Sequence, residues 1–432
     1  MKVRFRPRVL AILPGFMPST IICAVKPLMR LHKTGLLDAV ITLESLVTKQ
    51  TIESADLIVF CRNTEPRYSH IIRLVHAQRI PYVYDLDDNF FELPIESELG
   101  GYHRSPERIS MLTQYLQLAG LVRVYSEPLF ERVYALNPRI EQVTGTVDWS
   151  LILNPTENMK KIRIVYSTAR VYDDMTEIIL PALSRVLQTY GAKVEVHFWG
   201  TRPAGLSSFS NVHLHSLISD YDRFLRRFSQ AGFDIGLAPL NNDLFSRSKT
   251  NNKFREYGAC RVAGIYSDMD VYSNCVTDTE TGLLVSNNSG AWYRAIVRLI
   301  QEPDLREKIK SRAHDYASEH YPQGAFEVVW WNHIQKVLSE RERVLSPTLA
   351  LSEDSFSPGQ RVEMEKAASY DDSGKKSILI LIGIKFSGVF RHFLRYGLHV
   401  TFWLVRRSLY NYWMVLKLRM LTSSAAKVFR RR

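Results

Sequence analysis

Four polar residues near the middle of the chain carry the clearest chemical pattern. Lys249, Asn252, Lys253 and Glu256 stand at i, i+3, i+4 and i+7, so a helix over 249–257 gathers them on one face. Two ammonium groups, an amide and a carboxylate in one stripe suit a phosphorylated, hydroxyl-rich ligand. Phe254 and Tyr257 point elsewhere and can anchor the helix to a core. The plainer reading is a solvated face with a Lys253–Glu256 ion pair. A second cluster, Tyr84-Asp85-Leu86-Asp87-Asp88-Asn89, sets three carboxylates at the end of an apolar run. Hard divalent cations favour such oxygen ligands. The same residues fit better a ligand-cleft role or, equally, turn formation and capping by Asp87 and Asp88 before Phe90-Phe91.

The elements that must position these groups follow from short apolar runs alternating with helical patterns. In the first part, strands are expected at 9–13, 39–43, 57–61, 82–86 and 121–125, with helices at 66–78, 105–119 and 128–135. In the second, strands are expected at 162–166, 193–199, 233–238, 262–266 and 282–285, with helices at 177–190, 221–229, 291–301 and 304–319. This rhythm predicts βαβ units and parallel sheets. The fold class is therefore α/β, with two tandem Rossmann-like doubly wound domains over residues 1–155 and 156–340. A Ser-, Glu-, Asp- and Pro-rich linker at 341–376 and a tail at 377–432 follow. Ligands of such sheets lie in the crevice at the strands' carboxyl ends.

Hydrophobic residues at 46% and charged residues at 23% suit a globular chain, and 432 residues exceed one ordinary core. The net charge of +12 resembles a nucleic-acid signal until it is localised. Residues 375–432 hold 13 Lys and Arg and no acid, which leaves residues 1–374 close to neutral and removes nucleic acid as the expected partner. Cys23, Cys61, Cys260 and Cys275 show no C-x-x-C spacing and read as buried free thiols. The sequence has no G-x-S-x-G, H-E-x-x-H or Walker A pattern, no signal-peptide core, and no run of about 20 apolar residues.

Taken in order, Lys249–Tyr257, then Arg261-Val262-Ala263-Gly264-Ile265-Tyr266-Ser267, Thr281-Gly282-Leu283-Leu284-Val285 and Ala291-Trp292-Tyr293-Arg294-Ala295-Ile296 resemble the C-terminal domain of retaining GT-B glycosyltransferases. The likeness is to the group 1 type that includes bacterial polysaccharide and lipopolysaccharide enzymes. It covers residues 160–325 well and the N-terminal half more loosely. It implies a transferase, retaining and independent of metal or cofactor, that moves a sugar from a nucleotide-sugar to a glycan or lipid-linked acceptor.

Bond breakage builds negative charge on the leaving diphosphate, and fixed cations stabilise it. Lys249 is the first candidate for this catalytic task and Arg170 the second. Thr168, Asn252, Lys253, Glu256 and Thr281 are candidates for holding the donor, with Glu256 able to accept from ribose hydroxyls. Gly15, Asp85, Asp87, Asp88 and His103 are candidates for the acceptor side; a surface-loop histidine is the plainer account of His103. Many relatives carry a second Glu at the position that is Ser248 here. A nucleotide- or glycan-binding relative without turnover is therefore the alternative, with an Asp85/Asp87 metal-dependent enzyme behind it.

The tail predicts a basic amphipathic helix. Lys385, Arg391, His392, Arg395, His399 and Arg406 fall opposite Phe386, Val389, Phe390, Phe393, Val400 and Leu404 at 100° per residue. With Trp403, Tyr410, Tyr412 and Trp413, that composition suits an anionic membrane surface. Packing on the protein body or binding a partner are the other accounts. The expected location is the cytoplasm, peripheral to the inner face of the cell membrane.

Overall fold

Strands here are short runs buried on both faces, which is why they read as continuous apolar stretches rather than alternating ones. The run Leu57–Cys61 is fully buried along its length. A computed structural model describes residues 6–155, 161–168, 175–206, 208–340 and 408–422. The chain divides into one unit of residues 1–143 with 327–432, and a second of residues 144–326.

The first unit holds a six-stranded parallel sheet. Its strands are β1 (Arg8–Leu13), β2 (Asp38–Leu43), β3 (Leu57–Cys61), β4 (Tyr82–Leu86), β5 (Leu121–Val124) and β6 (Ile140–Gln142). They run in the order β2-β1-β3-β4-β5-β6, so the winding reverses between β1 and β3. Helical segments 18–33, Ser69–Ala77, Pro106–Leu118 and Glu127–Tyr134 connect them. The second unit repeats the plan with β7 (Ile162–Ser167), β8 (Val194–Trp199), β9 (Val212–His215), β10 (Ile235–Ala238), β11 (Ala263–Ser267) and β12 (Leu283–Val285). Its order is β12-β11-β10-β7-β8-β9, and the reversal falls between β7 and β10. Its core joins Ile164, Val196, Phe198, Ile235, Ile265 and Trp292 across the sheet and its helices.

The expected strands are all present within about two residues, the usual uncertainty of element ends. The sequence pattern missed two, β6 and β9, and both are sheet edges. The unit borders at 143/144 and 326/327 differ from those drawn at 155/156 and 340/341. Helix Ala325–Ser339 supplies the reason, because its side chains seal the first unit. Buried Trp330 donates Nε1–H to the Cys23 carbonyl at 2.7 Å, and the Arg123 guanidinium lies 3.6 Å from the Trp330 ring centroid. His333 and Lys336 meet Glu141 at 2.7 and 2.5 Å, and Arg30 meets Glu327 at 2.6 Å. Tail residues 408–422 form a helix, while 341–407, the linker and the predicted amphipathic stretch among them, lie outside the described residues. None of Cys23, Cys61, Cys260 and Cys275 is in a disulfide; the first three are buried as expected, whereas Cys275 is only half-buried.

Candidate functional sites at the two points of strand reversal

In the second unit the site is built on helix Asn252–Ala259. Phe254 and Tyr257 are fully buried, and the Tyr257 hydroxyl donates to the Leu237 carbonyl at 2.8 Å. Such burial is worth about 2 kcal/mol per side chain and fixes the helix on the sheet. Arg255, also buried, donates to the Thr146 carbonyl at 3.0 Å and to Thr250 Oγ1 at 2.8 Å. The helix thereby aims Lys253 at the carboxyl end of β7. Lys253 Nζ donates to Ser167 Oγ at 3.1 Å and to Glu256 Oε2 at 2.8 Å, and the Tyr221 hydroxyl donates to Glu256 Oε1 at 3.3 Å. Ser167 and Tyr221, which the sequence did not single out, are the groups that hold this pair.

The predicted four-residue stripe is corrected in two places. Lys249 is not on the helix, which begins at Asn252 after a separate short helix, Leu244–Arg247. Ser248 closes that short helix by donating Oγ to the Leu244 carbonyl at 2.7 Å, and Thr250, Asn251 and Asn252 are weak helix formers. The Lys249 ammonium lies 4.0 Å from the Phe245 ring centroid. Asn252 is turned toward Thr250, which donates to its Oδ1 at 3.1 Å, and toward Arg255. Thr168 does reach the carboxyl edge directly after β7, where its N–H donates to the Trp199 carbonyl at 2.9 Å. Gly200, at φ +88°, is required beside it, since a Cβ there would stand 2.0 Å from the Thr168 carbonyl oxygen. Thr281 precedes β12 and accepts from the Thr277 N–H at 2.9 Å, so it belongs to the amino side of the sheet. Arg170 lies outside the described residues.

In the first unit, Arg62 organises the reversal between β1 and β3. Its Nη1 donates to both oxygens of Asp87 at 3.0 Å and to Ser19 Oγ at 2.7 Å, and its Nη2 donates to Asp88 Oδ2 at 2.8 Å. Its backbone is left-handed, φ +66°, a conformation that costs a non-glycine residue about 1 kcal/mol or more and is held by these bonds. Neither Arg62 nor Ser19 was flagged from sequence; a cation directly after a five-residue apolar run was the available signal. Asp87 and Asp88 thus both pair with the Arg62 guanidinium. They cap no helix, for the chain turns through Phe90 N to Asp88 O at 3.1 Å.

Asp85 sits deeper, accepting from the Tyr125 hydroxyl at 3.0 and 3.2 Å, with Arg123 Nε at 3.4 Å. Burial pushes its carboxyl up to about 7, against the pull of Arg123. His103 ends helix Glu98–His103 and stacks on Phe90 at 4.4 Å. Burial first, then Arg62 and Arg108, hold its imidazole down at about 4, so the ring is neutral near pH 7. Gly15, buried after β1, completes this edge.

Two further groups stand outside these predictions. Glu44, just past β2, accepts from Asn63 Nδ2 at 2.7 Å, and burial raises its carboxyl to about 8. Its folded value lies above its unfolded one, so its stabilising contribution is complete below about pH 4.5 and is lost as pH rises through 8. Glu44→Gln should lie close to wild type in urea melts below pH 4 and become progressively more stable than it as pH rises to 9. A difference that stays constant with pH would refute the buried acid. Glu195, His197 and His213 on β8 and β9 place ligand atoms within 4.8 Å of one another, but Arg163 Nε donates to His197 Nε2 at 3.3 Å and stands where a cation would sit.

Two doubly wound sheets, each with polar groups at its reversal point, define the GT-B fold. The comparisons agree. HepE of Anabaena, in complex with UDP-glucose, is similar at TM-score 0.56 and 14% identity over 78% of this chain and 100% of that one. Sucrose-phosphate synthase of Thermosynechococcus elongatus is similar at TM-score 0.56 and 12% identity over 77% and 99%. The chain spans about half of TarM, 54% of that protein, at TM-score 0.47 and 14% identity. No protein-family model matches the chain, and no curated protein sequence matches it. At these identities the likeness establishes the fold.

Proposed function

We propose that the protein is a glycosyltransferase that moves a sugar from a nucleotide-sugar, a UDP-sugar first among them, to a glycan or lipid-linked acceptor in cell-surface polysaccharide synthesis. The observation that carries this reading is the Lys253–Glu256–Ser167 group at the reversal point of the second sheet. A parallel α/β sheet binds ligands at that place. Lys253 offers a cation for phosphate, and Glu256 offers oxygens for sugar or ribose hydroxyls.

The second unit, residues 144–326, would hold the donor and the first the acceptor, the latter at Gly15, Asp87, Asp88 and His103; Asp85, expected with them, is fully buried beneath this edge. As the bond from the anomeric carbon to the diphosphate breaks, Lys249, Lys253 and Arg170 would stabilise the leaving charge without metal, and the acceptor hydroxyl oxygen would bond to that carbon with retention as its proton passes to the departing diphosphate. The residues 377–432 would bring the enzyme to an anionic membrane, at its cytoplasmic face. No helix among the described residues is long and apolar enough to cross one.

The test is calorimetry against UDP-, GDP-, ADP- and CMP-sugars followed by transfer assays. Tight binding of one donor class with turnover is the expected result, and Lys249→Ala should abolish that turnover while the fold survives. Wild-type turnover in Lys249→Ala would remove Lys249 from the chemistry, and no donor binding at all would sink the reading. A second reading, binding without transfer, is favoured by Ser248, whose hydroxyl is turned to the Leu244 carbonyl. Donor binding with no turnover toward any acceptor would select it.

A further inference from the structure

The helix over residues 408–422 carries two apolar stripes, one buried and one exposed. Met414, Val415 and Leu418 are buried, and Asn411 on the same face accepts at Oδ1 from the Phe16 N–H at 3.0 Å. A Cβ on Gly15 would lie 3.2 Å from Asn411 Nδ2, so the helix rests directly on the turn that leaves β1. On the other side Leu409, Trp413, Leu416 and Met420 recur at i, i+4, i+7 and i+11, and are 64%, 48%, 40% and 62% exposed. Lys417 Nζ stands 4.9 Å from the Trp413 ring centroid, and Tyr410 packs beside Trp413 at 6.1 Å.

We infer that this outer stripe is the protein's bilayer contact and that the inner face ties the contact to the Gly15–Phe16 turn of the acceptor side. The inference rests on the proposed acceptor role of that turn. The occupant is an anionic lipid surface on three grounds. The stripe combines aliphatic groups with a Trp and a cation, as interfacial helices do. The chain from 375 to 432 has 13 basic residues and no acid, which complements lipid phosphate and repels a second copy of itself. The inner face of the helix is buried and Asn411 is bonded to the Phe16 turn, so the outer stripe is the side left to meet lipid. A helix seated on the β1 turn thereby sets the acceptor edge of the first sheet against the membrane, where a lipid-linked substrate would be presented.

The experiment uses the full chain and vesicles of phosphatidylethanolamine with phosphatidylglycerol, with pure phosphatidylcholine as control. The variant Leu409→Ser/Trp413→Ser/Leu416→Ser/Met420→Ser should lose about tenfold or more in co-sedimentation while its thermal melt stays near wild type. In wild type, vesicles should slow hydrogen exchange at the Phe16 amide. Asn411→Ala should abolish that slowing and keep vesicle binding. Unchanged sedimentation of the outer variant overturns the proposal. So does a wild-type dimer that this variant converts to monomer without any lipid binding, and so does Phe16 exchange that ignores both vesicles and Asn411. None of these readouts needs donor or turnover, so their failure is distinct from failure of the transferase reading.

Discussion

Arg62→Met is expected to cost about 3–5 kcal/mol of stability. The reason is what it leaves behind. Asp87 and Asp88 would lose their close cation, Arg62, in a pocket where Asp87 is only 8% exposed at its side chain. Burial already raises the Asp87 carboxyl, against Arg62 and with the help of Asp88, so loss of the guanidinium drives proton uptake as well as unfolding. The triple variant Arg62→Met/Asp87→Asn/Asp88→Asn should recover at least half of the loss, because no charge is then stranded. Urea melts of the two variants decide the matter. A single-variant loss under about 1 kcal/mol would mean the network is solvated and structurally idle.

Lys253→Met is expected to lower kcat/KM for transfer by about 10²–10³, well beyond what its lowered melt, from Glu256 losing its cation, accounts for. Its ammonium is the group that links Ser167 at the end of β7 to Glu256, and its removal takes a fixed cation from the place where leaving-group charge would develop. Glu256→Gln should act mainly through donor KM, since the amide keeps one acceptor for hydroxyls but no longer holds Lys253 by charge. Asn252→Ala should stay close to wild type, because that amide faces Thr250 and Arg255. Initial rates for the three variants with one donor separate these outcomes. Wild-type kinetics in Lys253→Met would detach the Lys253–Glu256 pair from catalysis.

Interior strands were legible because burial on both faces demands continuous apolar runs, as in Leu57–Cys61 and Tyr82–Leu86. The edges were not. In β9, Val-His-Leu-His is only partly buried, and β6 is the three residues Ile140–Gln142, so neither had to be apolar. The Lys253–Glu256 pair was legible where its spacing fixed it, at i and i+3 of one helix. Other site residues were invisible where tertiary contact assigns the role. Ser167 is one small residue at a strand end, and Arg62 gains its meaning only when Ser19, Asp87 and Asp88 converge on it. Lys249 failed as a helix residue because periodicity ignores stop signals: Ser248 and the Thr250-Asn251-Asn252 run interrupt the winding that the spacing implies.

The return of Ala325–Ser339 to the first unit gives the two halves different schedules on the ribosome. Residues 144–326 leave the tunnel as one unbroken stretch and hold everything their sheet requires. The first six strands emerge earlier, yet Trp330, which covers Arg123 and bonds the Cys23 carbonyl, is synthesised only after the whole second half. The half that starts first is thus the half that finishes last, and until then its nascent sheet exposes the surface Trp330 will cover, which nascent-chain chaperones would have to shield.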